Sequence, residues 1–344
     1  MPTPPRPAKV VYVIGAGLSA GLEFPTISNL LYRLWPRLVS AGHADGIAEI
    51  IRFHHPRFDP AKPKTFPNIE TLLSEMQANA ALFDASRPAT GGFTPEELER
   101  RQTNLLFGLA TWFHELKAKA LSTPPAWLAE LVQAMRREEA EVISFNWDLV
   151  LDELLFGDDL DSGSYALGPA RPGPRLIKPH GSLNWYGEED ARRLPDHKRF
   201  RLSGSGSDAV YAFRPYRAPL SRRHRYMPII VPPVYAKTFD REPSRSLWRE
   251  AVAVLGTATE VRFLGYSLPD ADFHARFILR CGFHNQTSGA ISPGGGRLPA
   301  TGPARVTIVD PSRKAHIRIR AAVGRRCHSH RDTIKEWIDG GGLR

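Results

Sequence analysis

Across 344 residues there are two cysteines, Cys281 and Cys327. Two thiols cannot build a disulfide framework, and they exclude a four-cysteine zinc module. So thin a complement fits a reducing compartment, and the expected location is the cytoplasm. The chain lacks any run of about 18 apolar residues, the length a membrane-crossing helix needs, so no membrane association is expected. The proline-rich opening ahead of Val10 reads as the approach to a core strand rather than as a leader. No internal repeat is visible. Metal-ligand spacing is missing as well. His54-His55 has no acidic or cysteine partner close by, and Cys281, His284, Cys327, His328 and His330 match no zinc framework. Nor is there the acid that a hydride-transfer nucleotide fold carries about 20 residues beyond its glycine turn. That window holds Leu30-Leu31-Tyr32-Arg33-Leu34-Trp35-Pro36, which reads as helix.

What is present is enough chain to bury a large core, as one domain with insertions or as two. The net charge of +10 is unevenly placed: residues 191–226 hold ten Arg or Lys against two Asp. A solvated loop is one reading of that stretch. A nucleic-acid contact is the other.

The most informative stretch is Val10-Val11-Tyr12-Val13-Ile14-Gly15-Ala16-Gly17-Leu18-Ser19-Ala20. A continuous β-favouring run is the pattern of a buried parallel strand. With Ala20 in third place the turn fits G-x-G-x-x-G/A, the dinucleotide fingerprint. Gly15 and Gly17 would let the backbone approach a ligand, and the next helix would aim its N–H groups at a phosphate. A tight strand-to-helix turn without any ligand is the alternative.

Later strands repeat the arrangement of an apolar run with a polar end. Residues 141–145 end at Asn146-Trp147-Asp148, and Leu176-Ile177 leads into Lys178-Pro179-His180-Gly181-Ser182. Residues 228–233 form a short run stopped by prolines. Residues 260–264 open into Gly265-Tyr266-Ser267, and residues 305–309 end on Asp310. Polar groups at the carboxyl ends of strands sit where ligands bind in an α/β sheet, although Asn146 and Asp148 also suit a helix cap. Helical periodicity marks 68–83, 126–137, 149–156, 244–255 and 268–279. Thr94-Pro95-Glu96-Glu97 supplies the cap, proline and acids of a helix running to about residue 121. Residues 282–303, rich in Gly, Ser and Pro, read as an exposed loop. The expected fold is α/β, a Rossmann-like parallel sheet flanked by helices, with a helical insertion. The main domain would comprise 8–40 plus 141–344, the helical insertion 41–140, and a basic loop insertion 187–226.

In this order the motifs resemble the sirtuin family, in its prokaryotic sirtuin-like branch. Gly15-Ala16-Gly17-Leu18-Ser19 resembles the turn that holds the NAD pyrophosphate, and Gly21-Leu22-Glu23-Phe24-Pro25-Thr26 resembles its continuation. Asn146-Trp147-Asp148 stands where the family carries Asn-x-Asp, and His180-Gly181 where it carries the catalytic His-Gly. Gly265-Tyr266-Ser267 and Val309-Asp310 resemble the strand ends on the ribose and adenine side. The four-cysteine zinc module and the Asp-Phe-Arg after the glycine loop are absent, which tells against acyl-lysine peptide binding. The resemblance implies NAD as substrate, no metal, and hydrolysis of the nicotinamide–ribose bond in antiphage defence. It implies catalytic roles for Asn146, Asp148 and His180, and binding roles for Gly15, Ala16, Gly17, Ser19, Thr26, Gly265, Ser267 and Asp310. A catalytically idle NAD or ADP-ribose sensor, and a deacylase or ADP-ribosyltransferase, are the alternatives. Self-assembly or an activating partner protein would gate the activity.

Overall fold

A computed structural model describes residues 10–82, 93–169, 171–193, 199–214, 228–230, 242–291 and 296–344. β1 (Val10–Ile14) runs into α1 (Ala16–Ala20). Helices α2 (Leu30–Ser40), α3 (Ala44–His54), α4 (Ile69–Leu82), α5 (Pro95–Ser122) and α6 (Ala126–Arg137) separate it from β2 (Glu141–Ser144). Then come α7 (Val150–Leu155), β3 (Arg175–Ile177), β4 (Trp185–Gly187), α8 (Glu188–Arg192), β5 (Arg199–Ser203) and β6 (Val210–Phe213). The C-terminal part holds α9 (Ser244–Thr257), β7 (Glu260–Leu264), α10 (Phe273–Ser288), β8 (Ala290–Ile291) and β9 (Arg297–Leu298). It ends with β10 (Arg305–Val309), α11 (Arg313–Val323), β11 (His328–His330) and α12 (Ile334–Asp339).

Six strands form a parallel sheet in the order β11-β10-β7-β1-β2-β3. Counted within the sheet, that is the doubly wound order of dinucleotide-binding folds, 3-2-1-4-5-6 read from the β3 edge. The expected Rossmann-like parallel sheet flanked by helices is therefore what the chain forms. Its central strands are buried and mostly apolar because helices cover both faces, with Arg262 and Glu141 as buried charged exceptions. Register does the rest. Ile14 pairs with Ser144 and Leu264, and Leu264 with Val309, so Gly15, Phe145, Gly265 and Asp310 follow on one level. The strand order reverses beside β1, and the ligand crevice of such sheets lies at that point.

α5 starts on a capping box between Thr94 and Glu97. Its buried Leu105, Leu109, Trp112 and Phe113 join the same core as the sheet. Phe113 meets Phe24 edge-on, with ring centroids 5.3 Å apart.

Several expectations are corrected. The basic stretch is not simply a loop: its described part holds β5 and β6, which pair antiparallel with β4. Leu202, Val210, Ala212 and Phe213 are buried, and in β5 Arg199 and Arg201 alternate with Phe200 and Leu202 and disguise the strand. Arg192 and Arg193 pair with Glu188 and Glu189 one turn earlier. Residues 194–198 and 215–226 lie outside the described residues. The helix expected over 268–279 begins at Phe273, because Asp272 caps it by accepting the Ala275 N–H at 3.2 Å. It also continues to Ser288, where a loop was expected. Gln286 is buried there and bonds the Leu255 carbonyl and the Ala304 N–H. Beyond it β8 and β9 pair antiparallel. In the run 228–233 Ile230 makes an isolated bridge to Gly181, and residues 231–233 lie outside the described residues. Phe83, expected in a helix, lies there too. Among the described residues no helix is long and apolar enough to cross a membrane.

Candidate active site

The carboxyl ends of β1, β2, β3, β7 and β10 open into a cavity of about 760 Å³, within the range of small-molecule and cofactor sites. Gly15, Ala16, Gly17, Ser19, Thr26, Asn146, Asp148, His180, Gly265, Ser267 and Asp310 all line it. Parallel register brings together residues up to nearly 300 positions apart in the chain.

Packing requires glycine at positions 15 and 17. A Cβ on Gly15 would lie 2.6 Å from the Gly265 carbonyl oxygen and the Tyr266 Cα. One on Gly17 would lie 2.6 Å from the Gly265 Cα. Gly265 itself has φ +61, a conformation side chains resist. Two turns therefore touch backbone to backbone. The Gly15 and Gly17 N–H groups donate to the Leu264 and Gly265 carbonyls, at 3.2 and 2.9 Å, and are not free to cradle a phosphate.

Behind this turn lies a buried polar relay. The Ser19 hydroxyl donates to Asp148 Oδ2 at 2.6 Å. Asn146 Nδ2 donates to Ser19 Oγ and to the Gly15 carbonyl, each at 3.1 Å. Both amide hydrogens are thus engaged, and Oδ1 remains the acceptor Asn146 can offer. Burial pushes the Asp148 carboxyl above the usual aspartate range, opposed by the Lys178 charge and the Ser19 hydrogen bond. Lys178 is 1% exposed. Its Nζ donates to the Asp148 carbonyl (2.7 Å), to Ser182 Oγ (2.7 Å) and to Asp152 Oδ2 (3.1 Å). It ties the Asn146–Asp148 turn to the loop carrying His180.

His180 is 3% exposed. The next residue must be glycine: Gly181 has φ +77, and a Cβ there would lie 2.2 Å from the Ile229 carbonyl oxygen. The imidazole sits edge-on to Phe145, at 4.9 Å, and beside Trp248, at 5.9 Å. Tyr266 stacks on Phe145 at 4.4 Å. Nε2 stands 3.2 Å from Asp272 Oδ2. At the other end of the cavity Asp310 accepts the Ser312 N–H at 2.8 Å, and burial raises its carboxyl. Thr26 and Ser28 also line the cavity, 3.0 Å between the hydroxyls.

No family model matches the sequence, and no curated protein matches it. Solved structures similar to the chain include Sir2Tm bound to a propionylated peptide. Its identity is 14% over 98% of this chain and 94% of that one, with a TM-score of 0.38. A mutant Sir2 homologue in complex with ADP-ribose matches at 12% identity over 98% and 92%, with a TM-score of 0.43. Sir2 bound to acetylated peptide matches at 12% identity over 98% and 94%, with a TM-score of 0.38. Values this low say nothing about chemistry, which rests on the residues themselves.

Among the described residues no group of three or more His, Cys, Asp or Glu is placed to hold a metal ion. Sequence reasoning missed Lys178, Tyr266, Trp248, Glu70 and Asp272. Lys178 carried a signal, a charge at the end of an apolar strand, and Tyr266 stood inside the Gly265-Tyr266-Ser267 turn. Asp272 stood in view merely as part of a helix start.

Proposed function

We propose that this chain is an NAD hydrolase that cleaves the bond between nicotinamide and ribose. The observation that carries the reading is one cavity that collects His180, Asn146 and Asp148 together with the glycine turn and Asp310. The dinucleotide would lie across the strand ends, its adenosine toward Ser267 and Asp310 and its nicotinamide ribose toward Asn146, Asp148 and His180. Glu70, Asp148, Asp272 and Asp310 line the cavity, and carboxylates favour the positively charged nicotinamide ring.

In the reaction the C1′–N bond breaks, its electron pair goes to the ring nitrogen, and nicotinamide leaves neutral. Water attacks the oxocarbenium-like C1′ and loses a proton, giving ADP-ribose. Asp148, when ionised, stabilises the developing cation. The Asn146 Oδ1 acceptor orients the water or a ribose hydroxyl, and His180 takes the proton. Because the Gly15 and Gly17 amides bond the chain itself, the pyrophosphate must find donors elsewhere along the cavity. Given the resemblance to sirtuin-like defence proteins, the setting would be NAD depletion in an infected cell.

The test is nicotinamide release by purified wild type, His180→Ala and Asn146→Ala, with NAD binding followed by calorimetry. Loss of release by about 100-fold or more in both variants, with binding retained, supports the reading. Undiminished release in both refutes the site assignment.

A further inference from the structure

Asp272 has no exposed surface, and a carboxylate so buried persists only where donors meet it. Oδ1 accepts the Ala275 N–H at 3.2 Å, capping the 16-residue α10. Oδ2 accepts the Tyr266 hydroxyl at 3.0 Å and faces His180 Nε2 at 3.2 Å. A helix cap needs one of these oxygens. The second is turned away from the helix, toward the imidazole.

We propose that Asp272 is the positioning residue for His180, holding a proton on Nε2 so that Nδ1 serves as the base. The role rests on the hydrolase reading above, although the pairing itself does not. A carboxylate on one ring nitrogen fixes the tautomer, orients the ring and favours the imidazolium once a proton is taken up. Phe145 and Trp248 flank the ring, so rotation away from Asp272 meets aromatic walls. Tyr266 reinforces the arrangement: burial and the Asp272 charge hold its phenol well above the ordinary range, so it remains a donor. Of the other charged groups near by, Glu70 and Arg276 act on Tyr266 with opposite sign, and Asp148 lines the same cavity.

The experiment is an imidazole NMR titration of His180, with pH profiles of nicotinamide release, in the full chain. Asp272→Asn keeps the shape and removes the charge. The His180 midpoint is expected to fall by about one to three pH units, the range for loss of an adjacent opposite charge. The acid limb of kcat should move down with it, and kcat should drop by about 100-fold with KM little changed. Asp272→Ser keeps a capping oxygen and loses the second one. It should therefore behave like Asp272→Asn in titration and kcat. Tyr266→Phe, which strips a donor from the carboxylate, should shift the midpoint the opposite way and keeps the question answerable if the Asp272 variants do not fold. An unmoved His180 midpoint, or wild-type values in Asp272→Ser, overturns the proposal. If the wild type releases no nicotinamide at any pH, the hydrolase reading fails, while the titration still decides whether Asp272 and His180 form a pair.

Discussion

Lys178→Met tests how the two polar loops are held together. The substitution keeps the length of the side chain and removes an ammonium that bonds the Asp148 carbonyl, Ser182 and Asp152. Asp152 is 1% exposed and would be left a buried carboxylate that keeps the Tyr165 hydroxyl as its side-chain partner among the described residues. Breaking one side of a buried ion pair costs about 3–5 kcal/mol. At roughly 2–4 °C per kcal/mol for larger domains, that is a fall in Tm on the order of 10 °C. The double variant Lys178→Met with Asp152→Asn removes the stranded charge and should recover part of the loss. The assay is urea denaturation of both variants at neutral pH. A single variant within about 1 kcal/mol of wild type, or a double variant that shows only additive losses, would refute the account of Lys178 as the clamp.

Two further outcomes follow from the same geometry. Gly265→Ala places a methyl 2.6 Å from the Gly17 Cα in a left-handed conformation. The backbone term alone costs about 1–2 kcal/mol, and the clash adds to it, so Tm should fall and NAD binding should be lost together. Stability retained with binding intact would contradict the packing of the two turns. Asp148→Asn addresses pH. Burial raises the folded-state pKa of Asp148, so the native state binds more protons than the unfolded chain above the ordinary aspartate range. That contribution is lost as pH rises, and the variant should gain stability relative to wild type between acid and neutral pH. Denaturation at pH 4 and pH 7 gives the sign, and a difference that shrinks with pH counts against it.

The strand ends were legible because each is an apolar run stopped by a polar or glycine-bearing turn, and parallel register then decides where those turns meet. Asn146, His180 and Asp310 come into one cavity for that reason. Asp272 was not legible: its second oxygen matters only because the β7 turn folds back over the β3 loop. The antiparallel strand β5 was hidden by Arg199 and Arg201 set beside Phe200 and Leu202, and β6 by its shortness. The far end of α10 was hidden by its polar sequence His284-Asn285-Gln286-Thr287-Ser288, whose Gln286 is buried against the Leu255 and Ala304 backbone. A phosphate-holding turn was expected at Gly15, Ala16, Gly17 and Ser19, and of these the Gly15 and Gly17 amides bond the chain itself. Strand-to-helix turns and ligand cradles share one glycine spacing, and the contact with the β7 turn is invisible in that spacing.

The contact between Gly17 and Gly265 bears on how such sequences should be compared. A descendant that had lost Asn146 and His180 would still need Gly15, Gly17 and Gly265 in order to fold. In this architecture the glycine signature reports how two turns pack, and under the proposed function activity would be read instead from the polar residues at the neighbouring strand ends.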